Sequence, residues 1–589
     1  MWRRADPRPL HESATERRRG IHPAARSLVV AASAALLLLA GPIAAGESEA
    51  KPRLILQITV DQLRGDLLWR HYDQFGKDGF RRLLDRGTVF LDAHHAHANT
   101  ETIVGHVTLA TGAHPAVHGM VGNLWFDRTT GERTYNIEDA RYKLLVAGAG
   151  VDAETEIDPT QKAARVEGRS PAAILVSTFG DELALATGGR AKVFGVSVKD
   201  RGAVAMAGHA GKAFWFSKSR AEFVTSSYYY ERYPEWVEAF NKARPAERWS
   251  GQRWELLSER EGYLFGDRDD QPWEAELAAF KRTFPHPYGP SNGPWYPTLL
   301  TVSPAGDELT LAFAEAVLRH ESLGADAVPD YLAVSFSSTD YVGHLFGPSS
   351  LESEDNLLRL DRVVARLLAV VDEAVGLERT LIVLSADHGT PEAPGTWRAQ
   401  GIEADYVNPA EWDRAPAIAR LKERFGIGDE LISAYVHPYL FLDREKIAAK
   451  KLDLADVQRA VARELEILPG VAAAVATADL RAGGLPDTDL YRSILNNDHP
   501  DRSGDLFVVF EPHHFINEFD GLQVAATHGS PWRYDTFVPL VFAGWRVPQG
   551  RVARRVFTID VTPTLAILAG TCIPSGAAGK PLPEVCGGR

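Results

Sequence analysis

Three aspartates and three histidines, set in short polar segments, are the residues of this sequence best suited to chemistry. They are Asp61, Asp340, His344, Asp387, His388 and His528. Carboxylate and imidazole ligands without cysteine suit Zn²⁺ or a similar divalent cation. Each residue has a plainer explanation when taken alone, because aspartate after a strand is often a helix N-cap and an isolated histidine is usually structural. Six of them together predict a metal site.

A threonine is the candidate nucleophile. Thr102 lies shortly before residues 107–112, which have the pattern of the opening of a helix. Phosphate groups bind at helix N-termini, where free backbone N–H groups and the positive end of the helix dipole meet. A threonine hydroxyl becomes a strong nucleophile only when a metal lowers its pKa. Taken alone, Thr102 is more simply explained as an N-cap.

Two cations and one amide are candidates for binding a phosphoryl group. Lys199 and Arg201 follow a predicted strand, and together they would neutralise two oxygens of a phosphate dianion. The amide of Asn123 would donate to a further oxygen. The alternatives are a solvated surface pair tied to Asp200 and an asparagine that merely forms a turn.

Buried strands are predicted where short apolar runs end at these polar residues. The runs cover residues 54–60, 192–198, 331–335 and 380–385, and they lead to Asp61, Lys199, Asp340 and Asp387. Helices are predicted at 172–186, at 307–319 and along the apolar positions from Leu357 to Val371. This alternation indicates an α/β fold with a doubly wound, mostly parallel sheet. Ligands bind beyond the carboxyl ends of such strands, so the polar residues should converge there.

The first 45 residues are predicted to be a signal peptide. Three arginines at 17–19 precede an apolar run at 27–40 and small residues at 41–45. An uncleaved anchor is the alternative, although the run is short for a membrane span. The mature protein is therefore expected in the periplasm or outside the cell, with no stable membrane span.

Residues 46–589 are expected to form one catalytic domain with insertions at about 208–297 and 391–503. The first insertion is rich in Trp and Tyr and shows no clear strands. Cys572 and Cys586 are the two cysteines, and we expect a disulfide between them that pins the C-terminal tail. A net charge of −14 argues against a nucleic-acid surface, whereas divalent metals would still let an anionic substrate bind.

Seven short motifs, in this order, resemble the alkaline phosphatase superfamily. They are VDQ at 60–62, T-x-x-GH at 102–106, GN at 122–123, VKDRG at 198–202, TDYVGH at 339–344, ADHG at 386–389 and THGS at 527–530. More narrowly, they resemble the exported PafA-type alkaline phosphatases that use threonine and are close to the nucleotide pyrophosphatase/phosphodiesterases. The resemblance extends from about residue 54 to residue 570.

The resemblance implies an alkaline-phosphatase-like fold and two zinc ions. One ion would be held by Asp340, His344 and His528, and the other by Asp61, Asp387 and His388, with Thr102 as the attacking ligand. Asn123, Lys199 and Arg201 would bind the transferred phosphoryl group. His106 and His118 lie in the same segments and are expected to be structural.

The expected activity is hydrolysis of small-molecule phosphate monoesters through a threonyl-phosphate. The pair Lys199 and Arg201 suits a dianion and would crowd the second organic group of a diester. A phosphodiesterase or nucleotide pyrophosphatase of the same superfamily is the alternative, because the aromatic insertion could form a nucleotide-binding wall. An exported protein that binds metal or phosphate without turnover is the alternative from another class.

Overall fold

A nine-stranded sheet organises the chain, and four smaller sheets are attached to it. A computed structural model describes residues 51–587 apart from residue 520, so the predicted signal peptide lies outside the described residues. The described strands are Leu54–Val60 (β1), Thr88–His94 (β2), Leu124–Asp127 (β3), Glu132–Tyr135 (β4), Val193–Ser197 (β5), Lys212–Ser217 (β6), Glu222–Val224 (β7), Arg253–Trp254 (β8), His286–Pro287 (β9), Asp330–Phe336 (β10), Thr380–Ser385 (β11), Ile432–Val436 (β12), Tyr439–Leu442 (β13), Val471–Ala476 (β14), Leu506–Phe510 (β15), Glu518–Phe519 (β16), Leu522–Gln523 (β17), Phe537–Gly544 (β18) and Gly550–Phe557 (β19).

The large sheet is mostly parallel, as the sequence predicts. Its strand order is β19-β2-β18-β11-β1-β10-β5-β6-β7, and β11, β1, β10, β5 and β6 form a parallel run in the middle. Only β18 and β7, among the described strands of this sheet, run in the opposite direction. The carboxyl ends of the parallel strands therefore meet at one edge of the sheet.

Helices cover both faces of this sheet. The described α-helices are Leu67–Arg70, Phe80–Arg86, Thr102–Thr111, Pro115–His118, Pro159–Lys162, Phe179–Ala186, Asp200–Ala207, Glu235–Lys242, Tyr296–Thr301, Pro304–His320, Ser338–Phe346, Leu351–Ala374, Pro394–Arg398, Pro416–Phe425, Arg444–Ala449, Leu454–Leu465, Thr477–Arg481, Asp489–Asn497, Arg533–Thr536, Val561–Ala569 and Pro583–Cys586. Short 3₁₀ turns lie at Tyr72–Gln74, Pro245–Trp249, Arg260–Gly262, Leu377–Arg379, Pro409–Arg414 and Thr558–Asp560. No helix in the described part of the chain is long and apolar enough to cross a membrane.

Alternate side chains of β1 show how the sheet is buried on both faces. Leu56 and Ile58 belong to one apolar core together with residues of the helices Pro304–His320 and Leu351–Ala374. Ile55, the residue before Leu56, belongs to a second core that includes residues of Val561–Ala569. Because both faces are covered, the strands read as continuous apolar runs rather than alternating ones. The doubly wound architecture is thereby confirmed.

One predicted helix begins later than expected. Residues 172–186 contain a helix only over Phe179–Ala186, because a capping box starts it at Thr178. The Thr178 side chain accepts a hydrogen bond from the backbone N–H of Asp181, and the Asp181 carboxylate accepts one from the N–H of Thr178. This reciprocal pair satisfies N–H groups that a helix leaves unbonded at its start.

Part of the predicted first insertion belongs to the central sheet. The expectation that residues 208–297 lack strands is wrong, because β6 and β7 extend the large sheet at its edge. The sequence of β6, with its consecutive aromatic residues, is buried almost throughout and carries no alternation to reveal it. Within the predicted second insertion, β12, β13 and β14 join β15 in a separate four-stranded sheet.

The expected disulfide is not formed. Cys572 and Cys586 both lie in the described part of the chain, and no bond joins them. Cys572 is exposed and Cys586 is partly buried among apolar side chains at the C-terminal end. The C-terminal tail is instead attached by packing of Leu582 and Val585 against the second core.

Candidate active site

The six metal-ligand candidates come together beyond the carboxyl ends of the parallel strands. Asp61 directly follows β1, and Asp387 and His388 follow β11 by two and three residues. Asp340 and His344 lie four residues apart on the helix Ser338–Phe346, which begins after β10. His528 lies in the loop that follows β17 and precedes the helix Arg533–Thr536 and β18.

The candidates form two groups that each suit one cation. In Asp340, His344 and His528 the possible ligand atoms lie within 4.8 Å of one another, and the same holds for Asp61, Asp387 and His388. His344 Nε2 and His528 Nε2 lie 3.1 and 3.3 Å from Asp340 Oδ1. The rings of His388 and His528 stack with centroids 3.5 Å apart, so the two groups are neighbours.

All three histidines direct the same nitrogen to the centre of their group. Nδ1 of each ring lies 2.8 to 3.0 Å from a backbone carbonyl oxygen, that of Ala526 for His344, of Gly389 for His388 and of Thr100 for His528. Because a carbonyl only accepts, Nδ1 must carry the proton and donate. Nε2 then keeps its lone pair, which is the arrangement that metal-binding histidines require.

Unpaired buried atoms support cation binding at the group that contains Asp61. Asp61 Oδ1, Asp387 Oδ2 and His388 Nε2 are buried and have no hydrogen-bond partner among the described residues. Burial and the nearby Asp387 carboxylate raise the pKa of Asp61, and burial lowers the pKa of His388. Buried polar atoms without a partner are destabilising, and a divalent cation would satisfy all three. These residues therefore fit a metal ion.

Gln62 connects the two ligand groups. The sequence indicates this residue only as part of the VDQ motif and not as a link between the groups. Its backbone N–H donates to Asp387 Oδ1 at 3.1 Å, and its side-chain amide donates to Asp340 Oδ1 at 2.8 Å. Gln62 has a left-handed backbone with φ of 67°. A Cβ at Gly343 would lie 1.9 Å from Gln62 Oε1, so the glycine between Asp340 and His344 makes room for this amide. Backbone strain of this kind is concentrated at functional sites.

Thr102 is the first residue of its helix, which starts five residues before the predicted opening at 107. The hydroxyl accepts a hydrogen bond of 3.2 Å from Arg201 Nη2. A Cβ at Gly105 would lie 1.9 Å from the carbonyl oxygen of Asp387, so this glycine lets the helix approach the end of β11. Thr102 thus contacts Arg201, and its helix packs against the segment that contains the candidate ligand Asp387.

His106 supports the same segment. Its Nδ1 lies 2.8 Å from the carbonyl oxygen of Thr102 and 3.0 Å from Asp387 Oδ2. The proton is directed at the carbonyl, so the approach to Asp387 is an electrostatic contact rather than a hydrogen bond. His118 lies elsewhere, where its ring contacts Thr108 and the backbone of Met120.

Lys199 is fully buried between the two ligand groups. Its ammonium lies 2.8 Å from Asp61 Oδ2 and also pairs with Asp340 Oδ2. Burial lowers the pKa of Lys199, but the carboxylates of Asp340 and Asp61 outweigh burial and raise it above its ordinary value. The lysine is therefore charged, and it joins one carboxylate from each group.

Arg201 is held beside Thr102. Its Nη1 forms an ion pair of 2.6 Å with Asp158, and its Nε is buried without an acceptor among the described residues. Burial lowers the pKa of Arg201, and the Asp158 carboxylate outweighs this and raises it. The free Nε leaves one hydrogen-bond donor of a fixed guanidinium for an incoming anion.

Asn123 has its amide orientation set by the nucleophile helix. Its Oδ1 accepts a 3.1 Å hydrogen bond from the backbone N–H of Ile103. The NH₂ end is therefore the one available in the cavity that Asn123 lines. Glu101 accepts from the backbone N–H of Asn123 at 2.9 Å and keeps this turn in place.

A group of buried side chains positions Lys199 and Arg201, and no sequence motif indicates this group. Glu156 pairs with Lys218 at 2.5 Å and accepts hydrogen bonds from the backbone of the residues leading to Asp158. Lys218 also donates to the Tyr341 hydroxyl at 3.1 Å. The Tyr341 ring contacts both Lys199 and Lys218, whose ammonium nitrogens each lie 4.6 Å from its centroid.

A cavity of about 580 Å³ opens onto this arrangement. Residues of the site form part of its lining, including Asn123, Arg201, Asp340, His344 and His528. Thr102 and Lys199 are fully buried behind this lining. A further trio of possible ligands, Glu403, Glu511 and His514, lies outside the cavity lining, and its Glu403 is exposed.

Comparison with known proteins finds relatives over most of the length of this chain. The family described as type I phosphodiesterase / nucleotide pyrophosphatase matches residues 55–531. The alkaline phosphatase PafA of Elizabethkingia meningoseptica is 34% identical over 558 residues, which cover 94% of this chain and 98% of that protein. A protein of Myroides odoratus named calcium-transporting ATPase is also 34% identical, over 92% of this chain and 96% of its own.

A solved structure resembles the fold over nearly its whole length. The crystal structure of wild-type PafA matches with a TM-score of 0.81 at 32% sequence identity. The match covers 91% of this chain and 99% of that one. The predicted fold class, a mostly parallel central sheet with smaller inserted sheets, is confirmed by this match.

Proposed function

Because this chain belongs to the type I phosphodiesterase / nucleotide pyrophosphatase family and is a hydrolase, we propose that it is an exported phosphate monoesterase. Thr102 would be its nucleophile and would form a threonyl-phosphate. The observation that carries the proposal is the meeting of one hydroxyl, two fixed cations and two ligand groups at one edge of the sheet. The alkaline phosphatase name of the Elizabethkingia meningoseptica relative supports it.

Two Zn²⁺ ions are proposed as the cofactors. Asp340, His344 and His528 would hold one, and Asp61, Asp387, His388 and Thr102 would hold the other. Bound zinc would supply Lewis acidity, which lowers the pKa of a hydroxyl and stabilises charge on a leaving oxygen. The Nε2 lone pairs and the unpaired carboxylate oxygens are the features of this chain that fit such ions.

The reaction proposed for Thr102 has two displacements. Its hydroxyl loses its proton to solvent, and its oxygen forms a bond to phosphorus while the bond from phosphorus to the alcohol oxygen breaks. The departing alcohol oxygen takes a proton from solvent. Water then attacks the phosphothreonine, so that the Thr102 hydroxyl is restored and inorganic phosphate is released. Arg201, which already contacts the hydroxyl, would orient the Thr102 oxygen for the first displacement.

The charges around the phosphoryl position favour a monoester. A monoester dianion has three non-bridging oxygens for Arg201, Asn123 and Lys199, whereas a diester has two and a second organic group. Lys199 is paired with Asp61 and Asp340, so it must leave at least one carboxylate to reach a phosphoryl oxygen. A diesterase is the second candidate, since the family description names one and the cavity has room for a second substituent.

An assay of the purified, zinc-loaded protein tests this function. We expect faster hydrolysis of p-nitrophenyl phosphate than of its bis-ester, and no hydrolysis of its sulfate. ATP belongs in the series because one relative is named an ATPase. Faster hydrolysis of the bis-ester would move the assignment to a diesterase, and phosphate binding without turnover of any ester would point to an inactive binding protein.

Removing the phosphoryl-binding cations should change the preference between the two ester classes. We expect Lys199→Ala and Arg201→Ala each to lower monoester kcat/KM by about 100-fold, and diester kcat/KM by clearly less, since a dianion loses more charge compensation. The exposed Arg141, paired with Asp139, supplies the control Arg141→Ala, which should leave both rates unchanged. Equal losses for both ester classes would contradict the role given to the pair.

A further inference from the structure

We propose that the apolar half of the cavity is a binding site for the alcohol part of the substrate, and that it selects esters of ring-bearing apolar alcohols. This inference rests on the proposed monoesterase function and specifies its substrate class. The cavity of about 580 Å³ is far larger than a phosphoryl group, and it lies in the range of pockets that bind whole small molecules. The cavity therefore has room for a substrate group beyond the phosphoryl group.

Six apolar or aromatic side chains line the cavity, and we call them the apolar wall: Leu345, Tyr435, Val436, Ile516, Phe519 and Val524. Among them, Phe519 contacts the ligand group that contains His344. Phe519 lies edge-on to the His344 imidazole, with ring centroids 5.0 Å apart and an angle of 61° between the rings. An alcohol group that extends from phosphorus towards His344 would therefore contact the Phe519 ring first.

Backbone hydrogen bonds fix this wall to the site. The backbone N–H of Ala525 donates to the carbonyl of His344 at 2.8 Å. The N–H of Val524 donates to the carbonyl of Asn517 at 2.9 Å, which closes the turn that presents Phe519. The wall therefore keeps its place relative to His344, as a specific subsite must.

The direction of attack places the alcohol at this wall. Arg201 contacts the Thr102 hydroxyl, whereas His344 belongs to the ligand group that does not include Thr102 in the proposed mechanism. In-line displacement puts the nucleophile and the leaving oxygen on opposite sides of phosphorus. The leaving oxygen then points to the His344 group, and the alcohol carbon chain continues along the wall beyond it.

The chemistry of the wall favours a ring over a polyol. The Tyr435 hydroxyl lies 3.0 Å from His437 Nδ1, and His437 Nε2 lies 3.0 Å from the carbonyl oxygen of Gly529. Because a carbonyl only accepts, Nε2 carries the proton, and Tyr435 donates to Nδ1 and is already satisfied. Sugar-like hydroxyls facing this wall would lose water without gaining partners. An aromatic ring would instead gain contact with Phe519 and the aliphatic side chains.

A pair of alkyl esters separates binding from intrinsic reactivity. Propyl phosphate and 3-phenylpropyl phosphate have leaving groups of similar basicity, so a difference in kcat/KM reports contact with the ring. We expect the phenyl ester to be favoured by about tenfold in the zinc-loaded wild type, and by less than about twofold in Phe519→Ala. Phe519→Leu should keep most of the preference, and Leu185→Ala, which removes an exposed side chain elsewhere, should keep all of it.

Inhibition by inorganic phosphate and calorimetric binding of propylphosphonate and 3-phenylpropylphosphonate complete the test. A wild-type ratio of kcat/KM for the phenyl ester to kcat/KM for the propyl ester near one would overturn the subsite. An unchanged ratio in Phe519→Ala would do the same, and either result would leave the monoesterase function intact. If neither ester is hydrolysed, the proposed function fails, and the phosphonates still decide about the subsite. Tighter binding of the phenyl phosphonate that is lost in Phe519→Ala supports the subsite, and equal binding of both phosphonates refutes it.

Discussion

Thr102→Ala is expected to lower kcat/KM for phosphate monoesters by at least about 1,000-fold, because loss of a covalent nucleophile removes the whole first displacement. Thr102 begins its helix, and its hydroxyl is held by Arg201 at 3.2 Å. The substitution removes this hydroxyl without altering the backbone, so folding should be unaffected. Thr102→Ser, which keeps a hydroxyl in the same place, should retain activity within about tenfold of the wild type.

The covalent intermediate provides a direct measurement. Acid quenching of the wild type during turnover, followed by peptide mass analysis, should place a phosphate on Thr102, and on the replacing serine in the Thr102→Ser variant. The alanine variant should show neither a modified peptide nor a burst of released alcohol. Undiminished turnover in Thr102→Ala, or a phosphopeptide that maps to another position, would contradict the threonyl-phosphate.

Removal of divalent metal by a chelator is expected to abolish monoesterase activity and to lower the Tm by about 5 °C or more. Asp61, Asp387 and Asp340 are buried close together, and burial with the Asp387 charge raises the pKa of Asp61. Without a cation, these carboxylates repel one another, and Lys199 neutralises only part of their charge. Both the activity and the Tm should return when zinc is added back.

Metal analysis gives a readout that does not depend on activity. We expect two zinc ions per wild-type chain and about one in Asp340→Asn, in which one ligand group loses its carboxylate. His514→Ala is the matched control, because His514 belongs to the trio with Glu403 and Glu511 outside the cavity lining. Full activity and two ions after prolonged chelation, or a loss of zinc in His514→Ala, would contradict the assignment.

The central sheet, and the convergence of the candidate residues at one of its edges, could be predicted from the sequence. The apolar runs at 54–60 and 380–385 coincide with β1 and β11, because strands buried on both faces leave a continuous apolar signal. Polar residues that follow such strands must share one edge of a parallel sheet. That rule places Asp61 and Asp387 correctly, and the motif resemblance is confirmed by the family match.

Contacts between segments that are far apart in the sequence could not be predicted from it. Gln62 adopts a left-handed backbone and bonds to residues more than 270 positions away, and neither feature leaves a local pattern. Glu156 and Lys218 lie in segments without a motif, and only the fold brings them to Tyr341. The start of the helix at Thr102 was missed because Gly105 weakens the helical pattern there, although close packing against Asp387 requires it.

The ion pair that fixes Arg201 has a kinetic consequence. Since Asp158 holds this guanidinium and Glu156 holds the backbone of Asp158, Arg201 loses little conformational freedom when an anion arrives. The same rigidity acts on the product, because inorganic phosphate meets donors that have already been immobilised. We therefore expect phosphate to dissociate slowly and to accumulate on the enzyme during turnover, so that its escape sets the maximal rate on reactive esters.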